Sequence, residues 1–255
     1  MRSFQMALCA AVLAFPILAA DFNWAGSIAM GKAVEIKSVN GSISATPSTS
    51  GKVEVSATKT ARRSDPSQVK IEVVEHPDGV TICAVYPSPD GQANECKPGS
   101  GGRMNTRDND TKVDFVVKVP AGDRFVARTV NGKVEAKLNG SDVEANTVNG
   151  SVDVAGAKTA RAKTVNGSID VEVSDASREM SFETVNGSVE VTLPANARAE
   201  LDARTVNGDI TSDLPLTVKG SISKRHVSGT IGGAGGPALN VKTVNGGVTI
   251  RSGRA

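Results

Sequence analysis

Six copies of the tetrapeptide Thr-Val-Asn-Gly recur in the second half of this 255-residue chain. Their corners are Asn131-Gly132, Asn149-Gly150, Asn166-Gly167, Asn186-Gly187, Asn207-Gly208 and Asn245-Gly246. From the first asparagine to the fifth the spacing is 18, 17, 20 and 21 residues. The remaining 38 are divided into 21 and 17 by a worn copy, His226-Val227-Ser228-Gly229. An imperfect outlier, Ser38-Val39-Asn40-Gly41, stands near the start. Self-similarity at a near-constant period means one small supersecondary unit stacked on itself, because so short a unit cannot bury its own apolar face. The repeat constrains architecture tightly and chemistry hardly at all.

Within residues 160–173 the small or apolar positions before the corner are Ala160, Ala162 and Thr164, and those after it are Ile169, Val171 and Val173. Parity flips across Asn-Gly, so the chain bends there while one face stays inward. The first array unit agrees, with Phe125, Ala127 and Thr129, then Val134, Ala136 and Leu138. Glycine is expected to supply a positive φ at such a corner, and Asn to tolerate it. Two folds satisfy the pattern. A two-residue hairpin sets Arg161 opposite Glu172 and Arg128 opposite Glu135, which are favourable cross-strand pairs. A parallel solenoid makes Asn-Gly a corner between two sheets, with equivalent residues in ladders about 4.8 Å apart. Only the solenoid explains why the tetrapeptide itself repeats, and Glu183 opposite Glu190 breaks the hairpin's charge logic. The expected fold is therefore all-β, a right-handed parallel β-solenoid-like array, with an antiparallel hairpin meander or sandwich as the alternative.

Residues 1–20 read as a secretory signal: Arg2, an apolar run from Met6 to Leu18 that includes Cys9, then Ala19-Ala20 before polar Asp21. That run is too short for a membrane span, and nothing later is long or apolar enough to be one. An exported protein is expected, in the periplasm or at the cell surface. Cys83 and Cys96 remain after processing, and in an oxidising compartment they are expected to form a disulfide. A metal site would need more than two thiols and His76. Residues 21–122 form a less regular β region, with strand candidates at 33–37, 52–57, 68–75, 80–85 and 112–119. Between them lie a hairpin turn at His76-Pro77-Asp78-Gly79 and a long loop, 87–110, that carries the disulfide. Residues 123–255 are the regular array.

The Thr-Val-Asn-Gly-Ser-Val/Ile-Asp/Glu-Val units from Arg128 to Ile250, and the Val119-Pro120 strand end that leads into them, resemble the bacterial "putative adhesin" β-strand-repeat family. That resemblance implies a β-solenoid-like body, an envelope location and no established activity. It brings no catalytic residues.

The net charge is +2 with acids and bases interleaved, so a nucleic-acid partner is not expected. Aromatics are 3% of the chain, which argues against an aromatic-rich sugar or protein hot spot and predicts a core of Val, Ile, Ala and Leu. His76 and His226 are the only histidines and stand in no recognisable catalytic spacing. The run Gly-Gly-Ala-Gly-Gly-Pro at 232–237 precedes no helix and reads as a loop, not a phosphate cradle. Outward acids such as Glu135, Asp153, Asp170 and Glu172 follow the repeat, as a solvated face does. The function expected is a non-catalytic scaffold or adhesin-like interaction module that needs no cofactor; the alternative is a carbohydrate-binding or carbohydrate-active solenoid. The last repeat ends at Ile250 with no evident cap. Val241, Thr243, Val248 and Ile250 are therefore expected at an open coil edge, available for self-association or an envelope partner. A glycan ligand stays open.

Overall fold

The computed structural model describes residues 22–218 and 223–253, so the expected leader, residues 1–20 with Cys9, lies outside them. In chain order the strands begin with β1 (Phe22–Gly26), β2 (Ala33–Lys37), β3 (Ile43–Pro47), β4 (Val53–Thr60), β5 (Lys70–His76), β6 (Gly79–Val85) and β7 (Lys112–Val119). The array follows with β8 (Arg124–Arg128), β9 (Val134–Lys137), β10 (Asp142–Asn146), β11 (Val152–Ala157), β12 (Thr159–Lys163), β13 (Ile169–Val173), β14 (Met180–Glu183) and β15 (Val189–Leu193). It ends with β16 (Ala199–Arg204), β17 (Ile210–Ser212), β18 (Leu216–Val218), β19 (His226–Ile231), β20 (Ala238–Lys242) and β21 (Val248–Ser252). Two β-strand candidates were not evident in the sequence pattern, β1 and the second half of the outlier unit, β3.

Each Asn-Gly corner joins a strand in one sheet to a strand in the other. Strands before the corner build a sheet in the order β18-β19-β16-β20-β14-β12-β10-β8-β2-β6-β5; strands after it build β1-β4-β7-β3-β9-β11-β13-β15-β21-β17. Successive coils pair in parallel, for example β10 with β12 and β11 with β13. The fold is therefore β-solenoid-like, and the antiparallel meander does not form. Arg128 accordingly reaches Glu35 and Glu144 on the neighbouring coils rather than Glu135 across the corner. The outlier unit at Asn40 is a full coil, and residues 22–122 and 123–253 share both sheets. Phe125, Ala127, Val134, Ala136, Ile169, Val171, Phe182, Val189, Val241 and Ile250 are all buried in one continuous core between the sheets.

The order of coils in space departs from their order in sequence. The corner asparagines stack as 40, 131, 149, 166, 186, 245, 207. The last coil, β20 and β21, is inserted between the coils of Asn186 and Asn207, with β14 and β16 on either side in one sheet and β15 and β17 in the other. Val241, Thr243, Val248 and Ile250 thus lie inside the stack, not at an edge as expected. The reason is the segment read as a worn repeat: 226–229 begins β19, which runs antiparallel along the outer side of β16, with β18 antiparallel beyond it. A parallel coil needs a free edge in both sheets at once, and β19 has taken one of them. The glycine-rich run at 232–237 is the crossing. A Cβ at Gly232 would sit 2.2 Å from the Ala197 carbonyl oxygen, and one at Gly236 2.4 Å from the Arg198 carbonyl carbon. Antiparallel strands also cover the other end of the stack, β4 and β1 beyond β7, and β5 beyond β6.

The structure also revises the reason for the corner glycines. Only Gly41 and Gly246 have positive φ, at 119° and 155°. What every corner requires is space. A Cβ on Gly132, Gly150, Gly167, Gly187, Gly208 or Gly246 would lie 1.9–2.1 Å from the carbonyl oxygen of the glycine on the adjacent coil. Real side chains do not approach backbone that closely, and here backbone stands on both sides. Gly167→Ala is therefore expected to cost about 3 kcal/mol in chemical denaturation, as overpacking against an immobile wall does. Deleting residues 237–255 would remove the coil between β14 and β16. Limited proteolysis of that variant is expected to cut within 199–218 as well, whereas a peripheral last coil would leave 199–218 protected.

Candidate interaction surface

The corner is built from four residues with separate tasks. Each threonine is buried, and its hydroxyl donates to the glycine carbonyl of the adjacent coil: Thr129 to Gly41 (3.1 Å), Thr147 to Gly132 (3.0 Å), Thr164 to Gly150 (2.9 Å) and Thr184 to Gly167 (2.8 Å). Thr243 to Gly187 and Thr205 to Gly246 complete the series, both at 2.8 Å. Each asparagine amide donates to the side-chain oxygen of the asparagine before it in the stack, at 2.7–2.8 Å from Asn131 onto Asn40 through to Asn207 onto Asn245. Asn40 closes one end by donating to the Asn109 carbonyl at 3.3 Å. The corner asparagines and glycines expected from the sequence are thus brought into one ladder.

The valine of the motif points to solvent. Among the described residues seven large apolar side chains are exposed, and five of them are this valine: Val130, Val148, Val185, Val206 and Val244. Val39 and Val165, at the same position, are half-buried. The corner thus presents an apolar row beside a row of amides, with a repeat of about 4.8 Å. The threonines lie inward and the asparagines at the bend, as parity predicts; the exposed valines are a candidate functional feature that parity alone does not single out. Their alternation between Thr and Asn was the available signal.

Outside the corner, two groups of titratable side chains stand out. On the outer face of the post-corner sheet Glu135, Asp153, Asp170 and Glu190 lie in consecutive register. Lys133 bridges Glu135 and Asp153 at 3.3 Å each, and Arg251 pairs with Glu190. Asp170 makes no ion pair among the described residues. Loss of water as the coils crowd it, then the charges of Glu190 and Asp153, push its carboxyl above the ordinary value. Glu172, the second residue singled out from the sequence, stands beside Thr192 in register and not beside another acid.

On the pre-corner sheet, Glu35 is buried and fully engaged: it accepts from Arg128 Nε (2.9 Å), Thr81 Oγ1 (3.0 Å) and the Gly99 backbone N–H (2.8 Å). Burial pushes the Glu144 carboxyl up, but the Arg128 and Arg124 charges outweigh it and hold the group below its ordinary value. Lys37 Nζ donates to the carbonyls of Lys97, Gly99 and Gly101 at 2.8–2.9 Å. The Cys83–Cys96 disulfide joins β6 to the same loop, with a Cα–Cα distance of 5.7 Å. Glu35, Lys37 and the disulfide therefore fasten the 87–110 loop onto the sheet. This cluster breaks the repeat, and sequence spacing gave no hint of it because the loop that completes it returns from 60 residues away. His76 belongs to it through Thr81 (3.1 Å), whereas His226 lies apart, 3.6 Å from Asp202.

An acid whose folded pKa is raised binds its proton more tightly when folded. Asp170 therefore weakens the fold once ionised, fully above its folded pKa, and the penalty vanishes as pH falls below the unfolded value near 4. Asp170→Asn is expected to raise the thermal midpoint at pH 7 and to leave it unchanged at pH 3. A lower midpoint at pH 7 would mean that Asp170 has a stabilising partner.

The profile of the family described as Toastrack DUF4097 matches residues 31–251. No curated protein matches this chain. Among solved structures, this chain is similar to a "putative cell adhesion protein" from Clostridium sporogenes, with 11% identity, a TM-score of 0.52, and coverage of 91% of this chain and 99% of that one. A "putative adhesin" from Bacteroides fragilis matches with 13% identity, a TM-score of 0.37, and coverage of 91% and 98%. The Clostridium protein shares the fold.

Proposed function

We infer that this chain, which belongs to the Toastrack DUF4097 family, is a non-catalytic, exported interaction module of the cell envelope that uses its corner face for contact. The observation that carries this reading is the valine row. A folded surface that concentrates its exposed large apolar side chains in one straight line marks a contact site more than a solvated wall. The asparagine ladder beside it leaves each amide with hydrogen-bonding capacity to spare, so the strip offers regular polar contacts along an apolar ridge. Rigid presentation also supports the reading, because ordering costs on binding are small when the surface is held by buried hydrogen bonds. The titratable clusters off the corner pair mainly among themselves, which supports a body without an active centre. Residues 1–20 are proposed as the export leader, 21–122 as the loop-bearing β region and 123–255 as the array, with the mature protein in the periplasm or at the surface. The name of the Clostridium protein that shares the fold, a "putative cell adhesion protein", agrees with this proposal.

A carbohydrate ligand is the second reading, and the acidic row with Asp170 favours it. Asp170→Asn together with Glu172→Gln would abolish glycan binding if that face carried the function.

The test is a paired substitution, Val148→Glu with Val185→Glu. Both side chains are exposed, so stability should change by no more than about 0.5 kcal/mol at each site. In crosslinking on intact envelopes, the partners captured by the parent protein are expected to be lost from the variant. An unchanged set of partners with an unchanged thermal midpoint would exclude the corner face.

A further inference from the structure

The stack has two ends, and they are finished differently. At the Asn40 end the corner is covered: Val113 N donates to the Asn40 carbonyl, Phe115 N to the Ser42 carbonyl, and Asn40 Nδ2 to the Asn109 carbonyl. At the Asn207 end the hairpin of β18 and β19 covers β16 in the pre-corner sheet only. In the post-corner sheet β17 is the outermost strand.

Each of the six junctions between stacked corners uses the same five hydrogen bonds. Taking the Asn149–Asn166 junction, Thr164 Oγ1 donates to the Gly150 carbonyl, Asn166 Nδ2 to Asn149 Oδ1 and Asn166 N to the Val148 carbonyl. In return Gly150 N donates to the Asn166 carbonyl and Val152 N to the Ser168 carbonyl. The terminal corner carries the matching half of this set, and among the described residues the segment leading into β19 reaches it only at Thr205, whose N–H donates to the Arg225 carbonyl. Among the described residues, the Val206 carbonyl, Asn207 Oδ1 and the Gly208 carbonyl receive no such donor, and Gly208 N and Ile210 N donate to none. The core is open there too. Ile210 is half-buried, whereas Val134, Val152, Ile169, Val189 and Val248, at the same position on inner coils, are at most 1% exposed.

We propose that the β17 edge is a strand-addition site for a partner segment bearing its own Thr-x-Asn-Gly corner, which docks in parallel from its threonine onward and extends the post-corner sheet only, because β19 holds the β16 edge. The occupant follows from the edge. An ordinary strand running antiparallel could use the backbone groups, but it would leave Asn207 Oδ1 and the Gly208 carbonyl unmatched and would set a side chain against Gly208. Its neighbours show that glycine carbonyl and glycine Cα meet within a distance that excludes a Cβ, so the docking residue must be glycine. The hydroxyl two residues before the asparagine and the amide itself complete the set. Exposed strand edges pair readily, and main-chain bonds give affinity while side-chain positions give selectivity. This site is separate from the valine row and does not rest on it.

The probe is a synthetic peptide with the sequence of residues 184–193, Thr-Val-Asn-Gly-Ser-Val-Glu-Val-Thr-Leu, carrying a fluorophore for anisotropy and a photoreactive group in place of its valine before Asn. It is expected to bind the full chain and to crosslink near Val206 and Asp209. Replacing the peptide's Asn by Ala, or its Gly by Ala, is expected to weaken binding at least tenfold. Ile210→Pro removes one outward N–H on an edge strand, where proline is tolerated, and should weaken binding tenfold, whereas Ile210→Val, which trims the same packing but keeps the N–H, should bind as the parent does. Should that variant fail to fold, Asn207→Ala supplies the same comparison. Equal binding by the Gly→Ala peptide, crosslinks at Val185 or Val244 inside the stack, or no binding at millimolar peptide would each overturn the proposal.

Discussion

The meeting of glycine on glycine at each corner is the constraint on which the rest of this structure depends. It brings adjacent backbones so close that a methyl group cannot enter, and that approach lets the threonine hydroxyl reach the neighbouring glycine carbonyl. Because the corner lies between the two sheets, one contact sets the register of both. A slip of one residue would turn every Val and Ile outward and every Asp and Glu inward in both sheets together. Coil length can then vary freely on the far side, where the connections 138–141, 158 and 174–179 differ in length and detail, since the register has been fixed elsewhere.

This explains which parts of the molecule were legible in the sequence. Parity across Asn-Gly identified the inward positions correctly, since burial alternates with period two regardless of what the corner does in detail. Repetition of the tetrapeptide, not parity, distinguishes a solenoid from a hairpin, because only stacking makes identical corners useful. The purpose of the glycines was misread because a φ requirement and a space requirement select the same residue. The order of the coils was not legible at all. Every Thr-Val-Asn-Gly copy presents the same pair of complementary sides, so the Asn245 coil fits beside Asn186 as well as beyond Asn207. What decides is His226–Ile231, whose Val-Ser-Gly looks like a decayed corner but lacks the asparagine that would ladder. Without that amide, the segment is free to run antiparallel and block the edge of β16. The Glu35 cluster was hidden for a different reason: its partners come from three separate segments, and no spacing rule links a buried carboxylate to a loop amide at Gly99.

The two flat faces and the corner differ in how they resist unwanted association. Parallel sheets built from repeats expose long regular surfaces, which is a hazard in any β protein. On the post-corner face the hazard is met by charge, with Glu135, Asp153, Asp170 and Glu190 in one row, where loss of water and then the neighbouring acids cost Asp170 some of its acidity. On the pre-corner face the fastened 87–110 loop and the Arg124–Arg128–Glu144 network lie over the strands of the first coils. At the ends, antiparallel strands cover β7, β6 and β16. The corner row of valines has none of these protections, although Thr, Ser or Lys would occupy that outward position without loss to the core.

An unprotected feature in an otherwise guarded surface is informative because the fold does not require it. The inner positions of the motif are forced: threonine for its donor, asparagine for its ladder, glycine for its size. Valine is the one member of the tetrapeptide that the stack leaves unconstrained, and yet it appears in all six copies and in the outlier at 39. β-Branched residues suit extended backbone, which accounts for part of that preference. Threonine has the same shape and would serve the backbone equally, with less apolar surface left in water. The choice of valine at seven stacked positions, five of them exposed, is therefore the feature on which the proposed contact face rests.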